Sequence, residues 1–150
     1  MTIRDALVVY LSEKGYRDPD TPEGQLYKDD WFHFYIGHWN LKIFKLGSTI
    51  HSLALHDAHH MLTGYQTDMQ GEAELVGWEL ASGGCGRHWV MWIDRIFAIP
   101  LMLACPRASL RAIRRGRREQ NLYSMAAPHA LELQIDDVRS RMKDRSLRAA

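Results

Sequence analysis

A stripe of apolar residues, Phe32, Ile36, Trp39, Ile43, Leu46, Ile50 and Leu53, recurs in alternating steps of four and three, and this spacing constrains the fold more than any other feature of the chain. It keeps one side chain per turn on a single helical face, so it predicts a long helix opened at Asp30 and packed along that seam. Three and seven residues past Leu53 the same face reaches His56 and His60. The buried side of the helix therefore runs into two imidazoles, which are expected to point inward.

The flanking segments also read as helices. Thr2 with Asp5 three positions on forms a capping box for a first helix with Ile3, Leu7, Tyr10 and Leu11 on one face, stopped at Gly15. Thr21 before Pro22 marks a short second helical start, because proline at the first helical position loses no needed hydrogen bond. Gly64 is a natural stop for the histidine helix. Thr67 with Gln70 reads as a second capping box, opening a helix through Leu75, Trp78 and Leu80. The expectation is an all-α protein of about six to seven helices, forming a single domain over residues 1–150.

A chain of 150 residues and 17.4 kDa is long enough to bury roughly 68 to 70% of its unfolded surface, so it needs no cross-links to hold a core. Cys85 and Cys105 do not make a disulfide framework and point to a reducing compartment. The apolar run between Asp5 and Ser12 is too short for a secretory signal, and a cytoplasmic location is expected. Charge is unevenly divided: residues 1–86 hold six Lys/Arg against twelve Asp/Glu, and residues 87–150 hold thirteen against six. The acidic part suits a cation and the basic part suits phosphates or an anionic membrane.

The acidic part contains HDAHHMLTGYQTDMQGE, residues 56–72. His56 and His60, four apart, lie one helical turn from each other and can reach the same metal ion. Asp57 can enter the same sphere or orient a ligand from outside it. His59 projects about a hundred degrees away from His60 and is expected outside the sphere. An antiparallel helix after a tight loop brings Glu72 back beside the two imidazoles. Glu74 and Glu79 read as solvated.

At this point the residues resemble a known family. His56, Asp57 and His60, followed after eleven intervening residues by Glu72, reproduce the HDxxH, eleven residues, E signature of the coenzyme Q biosynthesis protein four family, the Coq-four proteins of ubiquinone synthesis. The segment LTGYQTDMQGE resembles the family's LTGYxTDxxGE, RAIRRGRREQNL is similar to its basic helix, and DDVR to its final segment, so the resemblance spans about residues 50 to 142. It implies an all-helical protein with a metal site between two antiparallel helices and a hydrophobic cavity for an isoprenoid-tailed ring. It further implies removal of the ring carboxylate at C1 with hydroxylation of that carbon. Carried over, His56, Asp57, His60 and Glu72 are the metal ligands, with Glu72 and Asp57 also serving catalysis. The resemblance implies zinc; two histidines with carboxylates also suit ferrous iron. Partners expected on this basis are an isoprenoid-tailed aromatic acid, other quinone-biosynthesis enzymes and a second copy of the chain in a homodimer.

Two further segments provide a setting for such a substrate. HWVMWIDRIFAIPLMLACP, residues 88–106, is broken by Asp94, Arg95 and Pro100 and is shorter than the roughly 20 apolar residues of a membrane span. Trp89 and Trp92 on one side and Arg107, Arg111, Arg114 and Arg118 on the other resemble an interfacial pattern, with arginine meeting lipid phosphate. The competing reading is a buried core helix followed by a solvated arginine helix. Membrane contact would place the protein peripherally on the inner face of the plasma membrane. No nucleic-acid module accompanies the basic helix, and SGGCGR, residues 82–87, lacks the ending of a phosphate loop and reads as a flexible connector. Three function classes follow: a metal-dependent decarboxylase and hydroxylase, a non-catalytic lipid-binding scaffold with a structural metal, and a metal phosphohydrolase of the HD type. The last shares only the HD dipeptide, and the tight spacing from His56 to Glu72 argues against it.

Overall fold

The computed structural model of the protein describes residues 1–14, 31–36, 39–45 and 51–145, with the two strands and His51 described by backbone alone. Its body is all-α. In chain order the described residues form α1 (Ile3–Glu13), strands β1 (Trp31–Ile36) and β2 (Trp39–Lys45), α2 (His51–Thr63), α3 (Met69–Ala81), α4 (Trp89–Ala104), α5 (Pro106–Gly116), a single 3-10 turn at Leu122–Ser124, α6 (Ala127–Glu132) and α7 (Ile135–Asp144).

The long helix expected from Asp30 is not formed. Its first half is an antiparallel hairpin in which Ile36 pairs with Trp39 and Trp31 with Lys45, with an irregularity in register between Trp31 and His33. The physical reason is composition: WFHFYI and WNLKIFK are aromatic and β-branched, and such side chains pack well on a pleated surface. Phe32, Phe34 and Ile36 also alternate with period two, and only two positions, one a glycine, separate the runs, which is a hairpin signal. The helical half of the prediction survives as α2. The stops and starts at Gly15, Thr21 and Pro22, with Leu46 and Ile50 of the stripe, lie outside the described residues.

Thr2 caps α1 as its sequence requires, its hydroxyl accepting from Asp5 N while the Asp5 carboxylate accepts from Thr2 N. The start of α1 is tied to the far end of the chain: Ile3 N donates to Leu133 O at 2.9 Å and Ile135 N donates to Met1 O at 3.1 Å. These bonds bring α1, α6 and α7 around α2. One contiguous core results, with Leu7 from α1, Leu55 and Ala58 from α2, Trp78 from α3, Met91 from α4, Ala130 from α6 and Val138 from α7. The face of α2 between Leu55 and Leu62 is therefore buried on the same side as His59 and His60. Both cysteines are free thiols, as expected; burial pushes Cys85 up to about 11.

Candidate metal centre

Two helices and a five-residue connection build the site. α2 runs through His56, His59 and His60 and closes at Gly64, whose N–H donates to His60 O at 2.9 Å and whose φ of 81° is open to glycine without strain. α3 opens on Asp68, not on Thr67: the Asp68 carboxylate accepts from Gly71 N at 2.7 Å. Thr67 and Asp68 are both competent caps by residue type; the structure uses the one whose extended backbone directly precedes Met69. Gly71 is fixed by space, since a Cβ there would stand 2.0 Å from Gln66 O. The connection thus lies flat against the first turn of α3, and this contact delivers Glu72 to the histidines.

His56, His60 and Glu72 each present one ligand atom within 4.8 Å of the others. His56 Nε2 is 3.5 Å from Glu72 Oε2, and His60 Nε2 is 3.0 Å from Glu72 Oε1. Two donors bound at about 2.0–2.1 Å to a tetrahedral ion stand roughly 3.3 Å apart, so the spacing fits. The other ring nitrogens are used elsewhere. His60 Nδ1–H donates to Tyr65 O at 3.0 Å, and His56 Nδ1–H donates to Glu79 Oε1 at 3.2 Å. Each imidazole is thereby held with its Nε2 toward the same carboxylate. His60 Nε2 is buried and has no hydrogen-bond partner, which is costly unless a cation satisfies it.

Behind this triad lies a buried polar cluster. Glu79, 0% exposed, accepts at Oε1 from His59 Nδ1 at 2.7 Å, Tyr123 Oη at 3.1 Å and His56 Nδ1, while its Oε2 pairs with Arg95 from α4. His59 is spent on both nitrogens, because its Nε2 accepts from Leu122 N at 3.0 Å. Burial would lower the pKa of His56, but the charge of Glu79 and bonds to Glu72 and Glu79 overcome this and push it up to about 10 in the absence of metal. Burial likewise opposes charge on Glu72, and contacts from His56 and His60 overcome it and draw Glu72 down to about 2. Glu79, buried even more deeply, is held well below the ordinary carboxylate range by Arg95 and His56. Burial lowers His59, which fits its neutral, doubly bonded state.

The sequence-predicted ligands therefore divide. His56, His60 and Glu72 converge; Asp57, one residue round the helix from His56, is not in the converging set. His59 is outside the sphere, as expected from its angle. Glu79 is the largest departure, since it reads as solvated and is buried with four partners. The signal was present: Glu79 is seven residues after Glu72, two helical turns, and so falls on the same face. Arg95 had a signal too, a guanidinium inside an apolar run.

α4 turns Val90, Met91, Arg95 and Ala98 into the protein, while Trp89, Trp92, Ile93, Ile96, Phe97 and Leu103 form an exposed apolar stripe, Phe97 67% and Leu103 74% exposed. Among the described residues no helix is long and apolar enough to cross a membrane. On α5 and just beyond it Arg107, Arg111, Arg114 and Arg118 are exposed, Arg111 reaching Glu74 at 3.4 Å. Arg115 instead turns inward, donating to Thr63 O at the end of α2 and pairing with Glu119. SGGCGR is a built turn, clamped by Asn121 Nδ2 donating to Glu79 O and Gly84 O at 2.9 Å each.

Two neutral imidazoles and one carboxylate form a donor set that zinc accepts with an open fourth position, and the same set suits ferrous iron. No protein-family model, no curated protein and no solved structure matches this chain.

Proposed function

We propose that this chain is a divalent-metal enzyme of ubiquinone-type isoprenoid quinone biosynthesis, with zinc ahead of iron. Its substrate on this reading is an isoprenylated hydroxybenzoate-type acid, which loses its ring carboxylate as carbon dioxide and gains a hydroxyl at the same carbon; with water as the source of that oxygen, two protons and two electrons are released, and an external two-electron acceptor takes the electrons. The observation that supports this reading is the meeting of His56, His60 and Glu72, three of the four residues the Coq-four resemblance assigns as ligands, with both Nε2 atoms turned to one carboxylate.

A bound divalent ion supplies Lewis-acid polarisation of the carboxylate and phenolate oxygens. The chain's own residues set the charge. His56 and His60 contribute none and Glu72 contributes one negative charge, so the loaded site keeps one positive charge for an acid to neutralise. Three protein ligands would leave a tetrahedral ion one position for substrate. Glu72, partly exposed at the edge of the site, marks the side from which substrate enters.

The tail of such a substrate is held in a membrane, and the exposed stripe of α4 beside Arg107, Arg111 and Arg114 is the surface proposed to meet it. In cells lacking the native step, wild-type chain is expected to restore quinone and Glu72→Gln to leave the aromatic acid accumulating. Quinone at wild-type level from Glu72→Gln would replace the enzyme by the non-catalytic scaffold.

A further inference from the structure

Beyond the three converging residues, the geometry points to Glu79 as a positioning residue for the metal site, which with Arg95 selects the ring tautomer and the orientation of His56. The inference rests on the metal reading above. Glu79 does not face the ion position. It lies on the other side of the His56 ring, 3.2 Å from Nδ1, while Nε2 faces Glu72. A carboxylate accepting from Nδ1–H leaves the lone pair on Nε2, and a carboxylate behind a metal-bound histidine also raises the basicity of the coordinating nitrogen.

The cluster around Glu79 requires an acceptor at both oxygens. Oε1 receives three donors, from His56, His59 and Tyr123. Oε2 faces Arg95, which has no acceptor atom to offer. Arg95 Nη2 also lies 3.1 Å from His56 Nδ1 and can only donate, so it competes for that nitrogen; Glu79 Oε1, an acceptor 3.2 Å from the same nitrogen, is what keeps the proton on Nδ1. A glutamine at this position must turn its amide toward Arg95 or toward the three donors, and in either case sets donor against donor. His59 secures the arrangement from behind, joined to Glu79 by one nitrogen and to Leu122 N by the other. Arg95 also donates to Asp94 Oδ2 and to Tyr123 Oη, so its guanidinium spans from a partly exposed carboxylate to the fully buried Glu79.

The test is cobalt(II) binding to the full chain, followed by competition titration and by the visible absorption of the bound ion. The Glu79→Leu/Arg95→Met variant removes the pair together, so that no single charge is left buried and no side-chain acceptor is left at this position for His56 Nδ1–H. It is expected to bind cobalt about 10- to 100-fold more weakly, the range found for such outer partners, with a shifted absorption band. Tyr123→Phe removes one bond to Glu79 and is expected to weaken binding roughly two- to tenfold, so the proposal stays testable if the double variant fails to fold. Wild-type affinity and spectrum in a folded double variant, or in Tyr123→Phe when the double variant does not fold, would overturn the inference while leaving the metal site standing. A wild-type chain that takes up no cobalt would overturn both.

Discussion

His60 Nε2 and Glu72 Oε1 stand 3.0 Å apart, while on the other side of the ring His60 Nδ1–H donates to Tyr65 O, which leaves Nε2 of the neutral ring as an acceptor facing an acceptor. Two acceptors this close are unfavourable unless a cation lies between them. His56 Nε2 faces the other oxygen of the same carboxylate at 3.5 Å, and in the metal-free protein it is a proton on His56 that lies between them.

Proton release accompanies metal binding. In metal-free protein His56 is raised to about 10, above the ordinary 6.5, so its contribution to stability is full below about pH 6.5 and is lost as pH rises through about 10. Glu72, lowered to about 2, contributes stability above its ordinary value near 4.5 that is lost as pH falls through about 2. A metal ion needs His56 neutral, so loading at pH 7 to 8 is expected to release about one proton and to strengthen about tenfold per pH unit. Calorimetry in buffers of different ionisation enthalpy measures this. Binding with no proton released would show that His56 is not a ligand.

Gly71→Ala is expected to cost about 1–3 kcal/mol in stability, because its Cβ meets the Gln66 carbonyl, which is backbone and has little room to move. Metal affinity should fall with it, since that contact places Glu72. Denaturant unfolding and metal titration of the one variant check both; unchanged stability would mean the connection from Gly64 to Asp68 can shift without consequence.

How far the site was legible depended on range. His56 and His60 are one turn apart on one helix, and Gly64 and Gly71 mark the reversal that returns Glu72, so local sequence carried the triad. The hairpin was hidden because Phe32, Ile36, Trp39 and Ile43 satisfy a helical spacing while their residue types favour strands. Glu79 and Arg95 each carried a local signal, but their pairing was not legible, because burying a carboxylate is reasonable only with a guanidinium against it, and Arg95 comes from a different helix sixteen residues on. Ile96 and Phe97, which follow Arg95 in sequence, are exposed, because the face of α4 that carries Val90, Met91, Arg95 and Ala98 is the buried one.

Vesicle binding tests that surface. The chain is expected to cosediment with anionic vesicles at low salt, less so at high salt as screening shortens the reach of the arginines, and weakly with neutral vesicles. Arg111→Glu, Arg114→Glu and Arg118→Glu together should abolish binding, and so should Ile96→Ser with Phe97→Ser, with stability changed by no more than about 0.5 kcal/mol because these side chains are exposed. Equal binding to both vesicle types, or none, assigns the stripe to a second copy of the chain or another protein.

The most direct test of the account is elemental analysis of protein prepared without a histidine tag under metal-replete conditions, beside His60→Ala. The account predicts about one divalent ion per wild-type chain, a melting temperature that falls when a chelator removes it, and little or no ion in His60→Ala. A wild-type chain without metal, or a His60→Ala chain that retains a full equivalent, would contradict it.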